Sequence, residues 1–169
     1  MSAAADDPGG LKAIWGAKLW RFFHLMAEIS NRRDVAMIWK SMLAASAHAL
    51  PCEKCRSHFC EYLRSHSFIT LTSPTASGDA VRTEIRQSLI KFHNDVNAHL
   101  GKKFFTKEEF NKIYPYRTHA VNLSEIQKLY EELKNLWNPL VHSKIKPEHF
   151  MEWKKQTNLL LALLAGGPN

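Results

Sequence analysis

Cysteine, glycine, proline and long apolar runs are all scarce in this sequence of 169 residues. It contains three cysteines, seven glycines and seven prolines, and its longest apolar run, at 159–165, covers seven residues. Three clustered cysteines are too few for a small secreted domain that disulfides hold together. A helix that spans a bilayer needs about 20 apolar residues, so we expect no transmembrane segment. The first ten residues contain Asp6, Asp7 and Pro8 and lack the basic start and apolar centre of a secretory leader.

Charge and apolar content restrict the class of protein further. Hydrophobic residues make up 45% of the chain, which is enough for a folded core and argues against intrinsic disorder. The formal net charge is +7, but the basic residues are scattered and form no run. Charge alone is therefore weak support for a basic helical binding module, and we expect no nucleic-acid partner.

Helical spacing of apolar residues accounts for nearly the whole chain. It predicts helices over 11–29, from an N-cap at Asp34 to before Pro51, from Cys52 through Leu63, and from an N-cap at Asp79 to Gly101. Ser67 to Asp79 is predicted as the main loop, since it is rich in Ser, Thr, Gly and Pro.

Helical patterns continue to the end of the sequence. Thr106 and Glu109 form a capping-box pattern, Ser124–Trp137 repeats apolar residues at helical spacing, and Pro147 is placed to begin a last helix. No segment alternates as a strand would. The fold class is therefore all-α, with a flexible N-terminus at 1–10, a four-helix core over 11–106 and a C-terminal helical extension over 107–169.

Cys52 and Cys55 form the strongest chemical motif, a CxxC at the predicted start of a helix. Such a pair can be redox-active, half of a zinc site or an accident. Cys60 with His58 or His66 would complete a zinc set, but these residues would lie along one helix whose faces diverge. We interpret Cys60 as structural or incidental and predict no metal ligands. A zinc-binding helical adaptor stays open as the alternative function.

Two further patterns point to a cofactor. Gly16, Trp20 and His24 recur every four residues along one helix face, and His93, Asn94 and Asn97 place polar groups beside apolar ones on another helix. Each pattern alone fits an ordinary core. Together they suit a planar heteroaromatic group, with Lys102 and Lys103 near its phosphates.

In this order and spacing, these motifs resemble the Erv/ALR family of FAD-linked sulfhydryl oxidases. The resemblance rests on Gly16-xxx-Trp20-xxx-His24, Pro51-Cys52-xx-Cys55, and His93-Asn94-x-Val96-Asn97 followed by Leu100-Gly101-Lys102. It covers residues 11–106 and is closest to the forms of large DNA viruses such as iridoviruses.

The resemblance implies a four-helix bundle that holds FAD beside the CxxC. A substrate dithiol would attack Cys52, Cys55 would be the sulfur next to the flavin, and electrons would pass through FAD to O2 and give H2O2. The residues implied to contact FAD are Gly16, Trp20, His24, Cys55, His93, Asn94, Val96, Asn97, Leu100, Lys102, Phe105 and Tyr114.

The resemblance also implies partners and a location. We expect a homodimer whose electrons come from a dithiol protein or a thiol-disulfide carrier, because the chain has no second cysteine pair to act as a relay. The extension is expected to pack on the core or at the dimer contact. We expect the protein in the cytoplasm of the host cell or associated with the virion. Leu50, Leu89 and His99 depart from the family pattern.

Overall fold

The computed structural model describes residues 10–68 and 75–169. Residues 1–9 of the predicted flexible N-terminus and 69–74 of the predicted loop lie outside this described part. Its α-helices are α1 (Leu11–Glu28), α2 (Ala36–Ala49), α3 (Glu53–Ser65), α4 (Gly78–His99), α5 (Lys107–Ile113), α6 (His119–Trp137) and α7 (Pro147–Ala165). A short 3₁₀ turn at Asn138–Leu140 and one isolated bridge between Val141 and Ile145 complete the regular structure of the described residues. The all-α prediction is confirmed.

Several predicted helix ends are confirmed. Thr106 and Glu109 make the full capping box of α5, and Pro147 is the first residue of α7. Helix α4 ends at His99, and Gly101 follows with a φ of 66°, a left-handed conformation that glycine adopts without steric cost.

Two predicted N-caps are wrong. Asp34 does not cap α2, because both of its carboxylate oxygens accept hydrogen bonds from the Arg32 guanidinium, at 2.9 and 2.8 Å. Asp79 does not cap α4, because the helix begins one residue earlier and the Ser77 hydroxyl accepts the Ala80 N–H. The N-cap of α2 is Val35, one residue after Asp34, and the N-cap of α4 is Ser77, two residues before Asp79.

Helices α6 and α7 of the extension pack against the outside of the core helices α1 and α2. Helix α1 lies against α4 and α6, and α2 lies against α3 and α7. Two ion pairs join α1 to α6, Lys18 to Glu132 at 2.9 Å and Arg21 to Glu125 at 2.6 Å. The end of the chain returns to the start of α2, where Arg32 donates to the Gly167 carbonyl at 2.7 Å. The extension therefore covers one face each of α1 and α2.

Tryptophans fill the space between the core and the extension. Trp137 of α6 packs edge-on against Trp15 of α1 and lies 4.5 Å from Trp153 of α7, measured between ring centroids. Trp39 of α2 is fully buried, and its indole N–H donates to the Ser30 hydroxyl at 2.9 Å. One apolar core thus includes both parts of the chain. Among the described helices, none has the length and apolar content needed to cross a bilayer.

Gly78 marks a close approach between the start of α4 and the chain after α1. A Cβ at this position would lie 2.3 Å from the backbone oxygen of Asn31. We therefore expect Gly78→Ala to lower the free energy of unfolding by about 1–3 kcal/mol, because backbone atoms must shift to relieve the overlap. Urea unfolding followed by circular dichroism measures this change.

The control is Gly16→Ala in the middle of α1. A Cβ at Gly16 would meet no atom within 4 Å, so this change should leave the fold unstrained. Equal stability of the Gly78 variant and the wild-type chain would show that the close approach is not maintained in solution.

Candidate active site

The two cysteines of the CxxC motif form a disulfide at the start of α3. Cys52 is the N-cap residue, and its sulfur accepts the Cys55 N–H at 3.2 Å. Their Cα atoms are 5.1 Å apart. Cys52 is 7% exposed and Cys55 is half-buried. A helix N-terminus stabilises negative charge, so a thiolate released by opening this bond is favoured here.

A cavity of 560 Å³ lies between α1, α4 and α5, close to this disulfide. Nine of the predicted cofactor residues line it: Gly16, Trp20, His93, Val96, Asn97, Leu100, Lys102, Phe105 and Tyr114. His24, Asn94 and Cys55 are not among its lining residues. The structure thus brings most of the predicted set to one place, although its members come from three separate parts of the sequence.

An aromatic wall connects the cavity to the disulfide. The ring of Trp20 lies parallel to that of His93, with centroids 4.0 Å apart and planes 3° apart. Phe59 packs against Trp20 at 5.7 Å and also lines the cavity. Since Phe59 follows Cys55 by four residues on α3, both lie on the same face of that helix. The disulfide is therefore one helical turn from the cavity wall.

His24 reaches the cavity indirectly, through His93. Its Nε2 lies 3.0 Å from Nδ1 of His93, so one ring nitrogen donates to the other. Tyr114 stacks on the other side of His24 at 4.4 Å. This arrangement fixes the orientation of the His93 ring, which lines the cavity.

Burial keeps both histidines neutral. It lowers the pKa of His24 well below its usual value, and the nearby His93 and Arg86 lower it further. Burial also lowers the pKa of His93 to about 3, with a smaller contribution from the positive charge of Lys102. At neutral pH the pair therefore acts as a neutral hydrogen-bonding and stacking unit.

Asn94 holds the chain that closes the cavity. Its Nδ2 donates to the Phe105 carbonyl at 2.9 Å, and its Oδ1 accepts the Phe105 N–H at 3.0 Å. Both ends of the amide are thus used on the backbone of a single residue. Asn94 positions Phe105 as a wall of the cavity.

The cavity has the polar and steric features that a flat cofactor with hydrogen-bonding edges needs. Asn97 is 4% exposed, and its Nδ2 has no hydrogen-bond partner among the described residues. A buried donor without a partner is costly, and an acceptor atom of a ligand would satisfy it. Gly16 leaves open space where a side chain would otherwise stand. With Trp20, His93 and Lys102, these residues fit a group such as FAD.

Helix α5 adds lining residues that the sequence interpretation missed. Phe110 and Ile113 face the cavity beside Tyr114, and Lys12 and Trp15 complete it from α1. Phe110, Ile113 and Tyr114 are spaced as one apolar helix face behind the capping box at Thr106. This apolar spacing is the sequence signal that identifies Phe110 and Ile113 as neighbours of Tyr114 on one helix face.

Cys60 is separate from this site. It is a free cysteine, and its sulfur lies 4.0 Å from His48 Nδ1. Partial burial raises the pKa of its thiol, which makes it a weaker nucleophile at neutral pH. Within 10–68 and 75–169, no group of three or more His, Cys, Asp or Glu side chains is arranged to hold a metal ion.

A larger groove, of 840 Å³, lies between α1 and α6 and is less suited to redox chemistry. Its lining contains neither cysteine nor histidine nor an aromatic ring. Arg21 and Arg117 in this groove both pair with Glu125. The smaller cavity beside the disulfide is therefore the candidate active site.

More than half of the chain is similar to known proteins. Residues 17–115 match the model of the Erv1/Alr family. The FAD-linked sulfhydryl oxidase of African swine fever virus (isolate Pig/Kenya/KEN-50/1950) is 31% identical over 106 residues, which are 59% of this chain and 79% of the viral protein. FAD-linked sulfhydryl oxidase ERV1 of Arabidopsis thaliana is 32% identical over 97 residues, which are 55% of this chain and 46% of the plant protein. No solved structure matches the chain significantly.

The His24–His93 pair predicts a loss of stability in acid. Each ring gains a proton more readily in the unfolded chain than in the folded one, so stability falls as the pH drops below the unfolded value of 6.5 and continues to fall, for His93, to about 3. The slope is at most about 1.4 kcal/mol per pH unit for each histidine. Urea unfolding across this range should show a shallower slope for His93→Gln than for the wild-type chain.

The protonation state of the two histidines can also be measured directly in the wild-type protein, without the His93 variant. Ring-nitrogen NMR of the wild-type protein should show both histidines in the neutral form at pH values where exposed histidines are already charged. Protonation of either ring at its usual pH would contradict the buried, neutral pair.

Proposed function

This chain belongs to the Erv1/Alr family, and on that premise we propose that it is an FAD-linked sulfhydryl oxidase that forms disulfide bonds in dithiol substrates. The observation that carries the proposal is the Cys52–Cys55 disulfide at the start of α3, one helical turn from the aromatic cavity. Family membership does not favour the zinc-adaptor alternative.

Residues of the cavity are proposed to hold the FAD. Trp20 and His93 would offer stacking faces, Asn97 would donate its unpartnered amide, and Lys102 would supply positive charge. His24 and Asn94 would act indirectly, because His24 orients His93 and Asn94 orients Phe105. When bound there, FAD would supply a two-electron acceptor for the cysteine pair, with O2 as the final acceptor and H2O2 as the product.

The protein's own sulfur chemistry is thiol-disulfide exchange. A substrate thiolate attacks Cys52, the Cys52–Cys55 bond breaks, and Cys55 leaves as a thiolate stabilised by the α3 N-terminus. The second substrate thiol then attacks the mixed disulfide, so the substrate leaves oxidised and the pair is left reduced. The two substrate protons pass to the reduced cysteine pair or to solvent, and two protons are taken up again when O2 is reduced to H2O2.

The order of the two cysteines rests on the family resemblance. Exposure runs against it, because Cys52 is 7% exposed whereas Cys55 is half-buried. A trapping experiment decides between the two orders. With a single-cysteine peptide activated as its mixed disulfide with thionitrobenzoate, the free Cys52 thiolate of Cys55→Ser should displace thionitrobenzoate and form a stable mixed disulfide with the peptide. Cys52→Ser should form one at Cys55 as fast only if the order is reversed.

A homodimer, a thiol-disulfide carrier as electron donor, and a cytoplasmic or virion location are further parts of the proposal. Since α6 and α7 already cover one face each of α1 and α2, a second copy would contact the faces that remain. The relatives include proteins of a virus, which supports the viral character; the narrower iridovirus likeness stays a prediction.

Oxidase activity has a direct test. We expect the purified protein to be yellow, to consume O2 when dithiothreitol is added, and to produce H2O2. Cys52→Ser and Cys55→Ser should abolish turnover while they retain the flavin, because only the sulfur relay is lost. Oxygen-electrode and absorption measurements follow both properties.

Cys60→Ser is the matched control, since Cys60 is the remaining cysteine and lies outside the cavity. It should turn over within about twofold of wild type, as surface changes away from a site usually do. A colourless chain without oxygen uptake would sink the proposed activity, and an inactive but folded Cys60 variant would mean that this thiol takes part.

Gly16→Ala tests the cofactor cavity separately from catalysis. Alanine in a helix interior should stabilise the flavin-free chain by about 1 kcal/mol. The added methyl group occupies cavity space, so flavin content after gel filtration should fall, and added FAD should raise the melting temperature less than it does in wild type.

Ser41→Ala provides the comparison, because Ser41 is exposed on α2 and does not line the cavity. Its flavin content should equal that of wild type. Full flavin retention in the Gly16 variant would place the cofactor elsewhere.

A further inference from the structure

A second cavity, of 580 Å³, lies on the other flank of α3 from the aromatic wall. One side is α3 itself, and the other is the turn at 140–146 with the start of α7. We refer to it as the basic cleft. Among the described residues, its cationic lining side chains are Arg56, Lys144 and Lys146, and its one carboxylate is that of Glu53.

Arg56 connects the two sides of the basic cleft. Its Nη1 donates to the carbonyl of Leu50 at 2.6 Å and to the carbonyl of Lys144 at 3.1 Å. Leu50 comes two residues before Cys52. The Arg56 guanidinium therefore contacts both the backbone that leads into the CxxC motif and the turn on the opposite side of the cleft. Carbonyls carry no net charge, so these bonds hold the guanidinium in place without neutralising it, and no carboxylate of the residues in 10–68 and 75–169 forms an ion pair with it.

The turn opposite α3 is held firmly by its backbone. The N–H groups of Lys144 and Ile145 both donate to the Leu140 carbonyl, at 2.8 and 3.0 Å, and His142 N–H donates to the Ile145 carbonyl at 2.8 Å. Ile145 is 2% exposed and anchors the turn in the core. The lysines on either side of it are exposed, and no carboxylate of the described residues pairs with either.

Histidines add further hydrogen-bonding groups to the basic cleft. His48 and His149 approach within 5.3 Å, measured between ring centroids, where the end of α2 meets the start of α7. His142 lines the cleft from the turn. The cleft thus has several donors suited to carboxylates.

Resting on the proposed function, we propose that the basic cleft binds an acidic segment of the substrate protein and so brings the substrate's dithiol to the Cys52–Cys55 disulfide. Glu53 and Arg56 of the cleft flank Cys55 in sequence, so a peptide bound there is within a few residues of the disulfide. Complementary charge of this kind speeds encounter and selects among partners.

Nucleic acid is the competing anionic occupant, and the lining argues against it. The basic cleft contains no Phe, Tyr or Trp on which a base could stack, and its cations occupy one compact site rather than a track along the surface. A short run of carboxylates suits this space better than a polyphosphate chain.

Two peptides that contain the same CxxC dithiol test the proposal, one flanked by glutamates and the other by lysines. Wild-type protein should oxidise the acidic peptide with the higher kcat/KM, and salt should reduce the difference. The double variant K144E/K146E should lower kcat/KM for the acidic peptide by about tenfold and leave dithiothreitol oxidation unchanged.

The matched control is K128E/K155E, which makes the same charge change at two exposed lysines outside the cleft. It should keep the preference for the acidic peptide. An equal loss in this control, or no peptide preference in wild type, would overturn the proposal.

A binding measurement separates this proposal from the proposed oxidase activity. A labelled acidic peptide with serines in place of its cysteines should bind the wild-type chain by fluorescence anisotropy, and K144E/K146E should weaken its binding. If wild type binds this peptide but does not oxidise dithiothreitol, the oxidase proposal fails and with it the docking role. If dithiothreitol is oxidised but the peptide does not bind, or if only random-sequence single-stranded DNA binds, the cleft proposal alone fails.

Discussion

The Trp20 ring lies flat on the His93 ring at 4.0 Å, and this stack joins α1 to α4 at the centre of the cavity. Phe59 of α3 packs on the same indole, so the helix with the disulfide is aligned against that contact. The stack depends on a neutral imidazole, since a charged ring at this depth would lack solvation. Burial, with a smaller contribution from the positive charge of Lys102, lowers the pKa of His93 and keeps its ring neutral.

The two flanks of α3 differ in polarity, since one is apolar and aromatic and the other is charged. On one flank the disulfide lies near a buried aromatic wall, and the charged side chains among the described residues of that cavity are Lys12 and Lys102. On the other flank Arg56, Lys144 and Lys146 stand in a cleft open to solvent. A single helix thus places the same two sulfurs between a site for a flat cofactor and a surface that favours acidic peptides.

The C-terminal extension forms one side of the basic cleft. Helix α7 runs back along α2, so that His149 lies near His48 at one end while Gly167 meets Arg32 at the other. This packing brings the turn at 140–146 against α3. Trp137 and Trp153 both belong to the extension, and the contact between their buried rings stabilises this arrangement.

The sequence alone predicts the helical class, the capping box at Thr106, the start of α7 at Pro147 and the CxxC at the beginning of α3. These follow from spacing along one helix or from caps a few residues apart, where local backbone geometry decides. Gly16 and Trp20, whose spacing places them on one helix face, line the same cavity in the structure as His93 from another helix. The bond between His24 and His93, the hold of Asn94 on the backbone of Phe105 and the pairing of Asp34 with Arg32 are set by the folded structure. The partners in the first contact are 69 positions apart, and the others depend on which of several nearby polar groups the fold brings within hydrogen-bond distance. Helix periodicity carries no information on that choice.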